Sequence, residues 1–284
     1  MNLNIRLPEK ITTYAILTAL SALLGTPLLY VFSIALASDQ TTYLAKFTLL
    51  PQEFHFENFI RIFQMDLNFA RFFLNSLTLV FFAIIGQLVS SSMVAYGFAR
   101  LRAPGKNILF MILLSTMMIP GEVTMIPSFM LFRYLGWINT LLPLIVPNFF
   151  TNAFNVFLLR QFIARIPTEL DEAAQIDGLG YFGIYYRIIL PMIRPALIAI
   201  AINTFTWNWG WFMGPLIYIN DFDKAPLALG LQILSATSSS AQVPPWNLVM
   251  VGSLLLTLPM LVTYFFGQKY MDEFGVIGGS AAIK

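Results

Sequence analysis

Three carboxylates, Glu169, Asp171 and Glu172, stand within four residues of one another in the segment Ile166-Pro-Thr-Glu-Leu-Asp-Glu-Ala-Ala-Gln-Ile-Asp-Gly-Leu-Gly-Tyr181. Pro167 and Thr168 mark a helix start: the threonine hydroxyl can cap exposed amides, and Asp171 three residues on completes an imperfect capping box. The acids then fall in the first turn, where the helix dipole is positive. Leu170, Ala173 and Ala174 share one narrow face at i, i+3 and i+4, and its two methyl-sized positions permit close approach of another surface. The other reading of that face is packing against the chain's own helix ends, the usual fate of an amphipathic stripe. Gly178 and Gly180 close the helix, since glycine accepts the left-handed conformation that ends one. The chain then turns into Tyr181 to Leu190 ahead of Pro191, giving two short helices joined by a glycine elbow.

A second group is Asn203, Trp207 and Trp211, at i, i+4 and i+8. Each step drifts about 40° around a helix of 3.6 residues per turn, so the three form one stripe. An amide with two indoles could meet a sugar by hydrogen bonding and ring stacking. Tryptophan also anchors helices at a membrane interface, and Trp209 on another face suits that reading. Gly210 and Gly214 make a G-x-x-x-G step suited to close helix packing, ending at Pro215. Glu122 is an ionisable group inside an apolar run, a functional candidate by default; Pro120, Gly121 and Pro127 around it favour a broken helix that lifts the carboxylate into water near the outer rim. His55 is the one histidine and cysteine is absent. Disulfides, thiol catalysis and Cys/His zinc sites are therefore excluded, and no catalytic residue or metal-ligand set is found.

What must position these groups is a membrane bundle. Of 284 residues, 58% are hydrophobic and 11% charged, against roughly a quarter charged in soluble domains. Largely apolar runs give six predicted spans: Thr12–Leu36, Asn75–Phe98, Ile108–Leu131, Leu141–Phe162, Ala196–Ile219 and Asn247–Gly267. Each is near the length of about 20 residues needed to cross. The 28 uncharged residues from Ile11 to Ser38 exceed a secretory-signal core, so the first span is expected to stay uncleaved. Orientation follows the basic residues, which are retained in the cytoplasm. Arg100, Arg102 and Lys106 in one short loop place that loop, and with it both termini, inside, which sorts Lys and Arg 11 cytoplasmic to 5 external. Two long loops result: residues 39–74 outside, whose Glu53–Arg61 stretch suits a short interfacial helix packing over the helix ends, and Arg160–Arg194 inside. A net charge of +2 gives no basic field for nucleic acid.

The order Glu172-Ala-Ala-x3-Gly178-x9-Ile188-x-Leu190-Pro191 resembles the conserved loop of the permease subunits of ATP-binding-cassette importers. Met118-Ile-Pro-Gly-Glu-Val-Thr-Met-Ile-Pro127, Leu135-Gly-Trp-Ile-Asn-Thr140, Phe157-Leu-Leu-Arg-Gln-Phe162, Ile166-Pro-Thr-Glu169 and the ending Gln268-Lys-Tyr270 with Gly275–Lys284 resemble the carbohydrate branch, which includes the smaller maltose-transporter permease. Asp272-Glu273 and Leu179 depart from it, the family favouring a less acidic stretch and an alanine respectively.

The resemblance implies an all-α, type I importer fold of six transmembrane helices in one permease domain, 1–284, with its core at 72–270, a cytoplasmic coupling loop at 160–194 and a cytoplasmic tail at 271–284. It implies a second, non-identical permease subunit, two ATP-binding subunits, an extracytoplasmic solute-binding protein, lipid around the spans and residence in a bacterial or archaeal inner membrane. Leu170, Glu172, Ala173, Ala174, Asp177 and Gly178 would dock on the ATPase, with Glu172 paired to a base there and Gly178 as the elbow. Asn203, Trp207, Trp211 and Glu122 are the candidates for the substrate path, although in the maltose system the partner permease holds most of the sugar. No Walker A pattern exists here: Gly105-Lys106 is followed by Asn107 and lacks the upstream glycine. ATP and Mg are thus expected on the separate ATPase and no cofactor on this chain. The competing reading is a secondary transporter or channel, which needs ion-coordinating groups at the midplane or a selectivity ring.

Overall fold

The computed structural model describes residues 7–39, 53–237 and 245–278, with side chains described at 10–39, 53–237 and 245–268. The tail from 279, residues 40–52 of the outer loop and the Ser-rich 238–244 lie outside the described residues, as do the side chains of Asp272 and Glu273. The described residues are helical, with no strand among them. Among the described residues four helical stretches are long and apolar enough to cross a membrane, and two bent pairs bring the number to six where each pair is one span.

By their internal contacts the residues divide into two compact units: 1–68 with 231–257, and 69–230 with 258–284. The first contains α1 (Leu7–Ala35), the short α2 (Asn58–Arg61) and the start of the last helix, Trp246–Gly278. Asn58, buried, donates its amide to the carbonyls of Ala35 and Ala37, both at 3.0 Å, so α2 does pack over the end of α1. Asp39 completes the joint, 2.9 Å from Arg61 and accepting from Asn247 at 2.7 Å. Arg61 holds the Asp39 carboxyl below its ordinary pKa.

The second unit is built on α3 (Phe69–Arg100), followed by α4 (Lys106–Ser115), α5 (Gly121–Tyr134), α6 (Leu142–Ile145) with a tight turn at Val146–Phe150, α7 (Ala153–Ala164), α8 (Glu169–Ile176), α9 (Tyr181–Ile184), α10 (Arg194–Trp209) and α11 (Met213–Tyr218). α3 packs against α7, α10 and the 146–150 turn. Towards its C-terminal end, Ala95, Tyr96, Leu159, Ile163, Ile189 and Ile200 belong to one buried cluster. At the other end α3 is stapled to a stretch far along the chain: Arg71 pairs with Asp223 at 3.0 Å, Asn75 donates to the carbonyls of Asp223 and Ala225, and Ser76 accepts from the Leu227 amide at 2.8 Å.

Two spans are broken, the third at Pro120 as expected and the fifth where a continuous helix was expected. Lys106–Met118 and Gly121–Tyr134 meet at 99°. Pro120 has no amide to continue the helix and holds Ile119 extended, at φ −82° and ψ 115°. The fifth span begins earlier than Ala196: Tyr181–Met192 and Arg194–Trp209 meet at 75°, since Pro191 and Pro195 each remove an i→i−4 bond. One wide π turn, Tyr185–Ile189, precedes the bend. This span also stops at Trp209 instead of running to Ile219.

Candidate functional site

α8 is the helix expected from the acidic segment, with Glu169, Asp171 and Glu172 in its first turn. Its start is built differently from the capping box. Thr168 makes no side-chain cap and is itself in helical conformation; its carbonyl accepts from the amides of Asp171 and Glu172. Asp171 turns inward instead, and its Oδ2 lies 2.7 Å from Nε of Arg100 at the end of α3, in an ion pair with both side chains buried.

The C-terminus of α8 is a full Schellman closure. Gly178 is left-handed, at φ 84°; its amide donates to Gln175 and that of Leu179 to Ala174. Gly180 is not the second left-handed glycine: at φ −76° and ψ 172° it is extended and starts α9. Leu179, the departure from alanine, is half-buried, with its side chain over Gly183.

The expected face of Leu170, Ala173 and Ala174 divides. Ala174 joins the chain's own buried cluster, while Leu170 and Ala173 are exposed with Glu172, Asp177 and Gly178. At 100° per residue Ala174 lies between Leu170 and Asp171 around the helix, so 171 and 174 take the buried edge while 170, 173 and 177 sit along the neighbouring, exposed edge. Glu172 has no ion-pair partner among the described residues, and Ile176 beside it is 87% exposed.

The polar groups in the membrane-spanning part converge elsewhere. A cavity of about 300 Å³ is lined by Gln87 of α3, Asn148, Asn152, Phe154 and Asn155 of the 146–155 region, and Asn203, Thr204, Trp207 and Asn208 of α10. The amides are organised: Asn155 donates to Gln87 Oε1 at 3.0 Å, Gln87 donates to Asn148 at 3.4 Å, and Asn208 returns to the Thr204 carbonyl at 2.8 Å. Gln87, Asn155 and Asn208 are buried, whereas the Trp207 ring, 71% exposed, stands free at the cavity wall. No ionisable side chain lines this space. Such a surface offers neutral donors and acceptors with an aromatic face.

Of the four candidates for the path, Asn203 and Trp207 line this cavity; Trp211 and Glu122 do not. Trp211 leaves the stripe because α10 ends before it, and its ring folds over Gly214, filling the space a side chain there would need. Gly210 and Gly214 are thus on different elements and make no helix-packing step. Glu122 is exposed in the first turn of α5, beyond the break at Pro120.

A family model described as binding-protein-dependent transport system inner membrane component matches residues 87–273, a stretch holding both the cavity and the α8 hairpin. The chain belongs to this family of transport permeases. It is 30% identical over 279 residues to the polygalacturonan/rhamnogalacturonan transport system permease protein YtcP of Bacillus subtilis, covering 93% of this chain and 95% of that one. Over 229 residues it is 32% identical to the arabinooligosaccharides transport system permease protein AraQ of the same organism, covering 81% and 80%. A chain of a bacterial ABC transporter involved in the import of the acidic polysaccharide alginate shares its fold, with a TM-score of 0.82 at 22% identity over 92% of this permease and 95% of that chain. The protein is therefore an inner-membrane permease of an ABC import system, and the secondary-transporter reading is set aside.

Sequence reasoning missed most of the permease's cavity. Gln87, Asn148, Asn152, Asn155 and Asn208 are ordinary residues one by one. Their signal was amides recurring within apolar runs, where each needs a buried partner.

Proposed function

We propose that this permease forms one half of the translocation path for a sugar or oligosaccharide, the other half coming from a second, non-identical permease subunit. An extracytoplasmic solute-binding protein delivers the solute and two ATP-binding subunits, which carry the ATP and Mg, drive the exchange between outward- and inward-open states. The membrane is the bacterial or archaeal inner membrane, with both termini on its cytoplasmic side. Asn203 and Trp207, with the amides of Gln87, Asn148 and Asn155, meet the solute's hydroxyls and ring faces. Conformational exchange of this kind requires the ATPase to bind the two states with different affinity, and α8 is where that difference is applied. Leu170, Glu172, Ala173, Asp177 and Gly178 form the docking face, and Ala174 behind it lets α8 lie close to the permease's own core.

The observation that carries this reading is the outward presentation of Glu172 on a short helix anchored from behind. Glu172→Lys tests it in the co-expressed assembly: the ATP-binding subunits should no longer co-purify, or uptake should fall at least tenfold. Normal co-purification together with full uptake would overturn it.

A further inference from the structure

The inner side of the α8–α9 hairpin is tied to a single edge of α3. Arg100 meets Asp171 at 2.7 Å and also donates from Nη2 to the Ile166 carbonyl at 2.6 Å. One turn earlier, Tyr96 donates its hydroxyl to the Tyr181 carbonyl at 3.1 Å. One turn earlier again, the Ser92 and Tyr185 hydroxyls are 2.7 Å apart. Residues 92, 96 and 100 follow the four-residue repeat of a helix face, so both arms of the hairpin are held by one rail. The same helix carries Gln87 to the cavity, where it is bonded to Asn155 and Asn148.

Two further features single out the ion pair within this rail. It is buried, with side-chain exposures of 8% for Arg100 and 11% for Asp171, and removing one partner of a buried pair strands the other charge. Asp171 Oδ1 has no hydrogen-bond partner, so the hold on α8 from this carboxylate runs through Arg100.

We propose that Arg100 and Asp171 are the positioning pair of the transport cycle: they fasten α8 to α3 so that a displacement of α8 is delivered along α3 to the amide cavity. This rests on the docking reading of α8 given above. Neither residue touches solute or ATP; each acts by keeping the hairpin and the cavity wall parts of one rigid lever.

The absence of cysteine in the chain provides a direct measurement. A single Asn203→Cys substitution is introduced into the full assembly with its ATPases, and its maleimide labelling rate on this chain is compared with and without ATP, Mg and vanadate. The rate should change at least fivefold with Asp171 and Arg100 intact and less than twofold with Asp171→Asn, while the ATPases still co-purify and hydrolyse ATP. Exchanging the charges, Arg100→Asp with Asp171→Arg, should restore much of the response. Should Asp171→Asn fail to accumulate, Tyr96→Phe removes one tether alone and should roughly halve the response. An unchanged nucleotide response in Asp171→Asn or, if that variant does not accumulate, in Tyr96→Phe overturns the proposal, as does loss of the ATPases from Asp171→Asn. Absence of any response in the parent while its ATPases co-purify overturns the lever alone, the docking reading being tested separately by Glu172→Lys.

Discussion

Replacing Gly86 by alanine separates packing from backbone chemistry at the cavity wall. A Cβ built on Gly86 lies 2.8 Å from the Phe149 ring and 3.0 Å from both the carbonyl carbon and the oxygen of Asn148. The ring can turn aside. The Asn148 carbonyl can yield only if the 146–150 turn moves away from α3, and Asn148 on that turn lines the cavity and accepts from Gln87. Overpacking of this kind costs about 1–3 kcal/mol, and the better helix propensity of alanine offsets about 1 kcal/mol. The balance, about 1 kcal/mol, is a roughly fivefold change in the folded-to-unfolded ratio. Gly97 is the control: it lies on the same helix, but nothing stands within 4 Å of its Cβ position, so Gly97→Ala should stabilise. In detergent, Gly86→Ala should lower Tm by about 2–4 °C and raise the KM for uptake, while Gly97→Ala raises Tm and leaves KM alone. Equal shifts of Tm in the same direction for both variants would refute the packing argument.

The two tryptophans of the original stripe should part in function. Trp207→Ala should raise the uptake KM by up to about tenfold, the scale of one aromatic contact, whereas Trp211→Ala should leave KM unchanged and lower Tm, because its ring is packing over Gly214. In the loop after α1, the Glu57 carboxylate 2.7 Å from His55 raises the pKa of the imidazole, with burial opposing and Glu53 assisting. A raised histidine pKa stabilises fully below the ordinary value of about 6.5 and the benefit is lost as pH rises through the raised value. Amides of residues 53–64 should therefore exchange faster, after correction for intrinsic rates, as pH rises from 6 to 8, and His55→Gln should abolish that dependence; a His55→Gln profile identical to the parent's would count against the pairing.

The apolar runs and the loop of Glu172 made the span order and the hairpin legible, because both are written in contiguous residues. Lengths and bends were less so. Pro120 announced its break, but the end of α10 at Trp209 had no such marker, and it moved Trp211 off the expected stripe. The capping role assigned to Asp171 failed for a related reason: the local pattern favoured its own helix end, and a guanidinium 71 residues earlier in the chain made the stronger offer. The cavity was the least legible, since Gln87, Asn148, Asn155 and Asn208 become a group only when three separate helical regions are brought together.

The staples at the N-terminal end of α3 bear on how the chain is made. Ser76 accepts from an amide 151 residues later, and Arg71 and Asn75 also look to residues 223–225. While the ribosome is still producing the intervening segments, the second span must wait in the bilayer with these groups satisfied only provisionally. Closure of its N-terminal end is a late event of biogenesis, set by the arrival of Asp223 to Leu227.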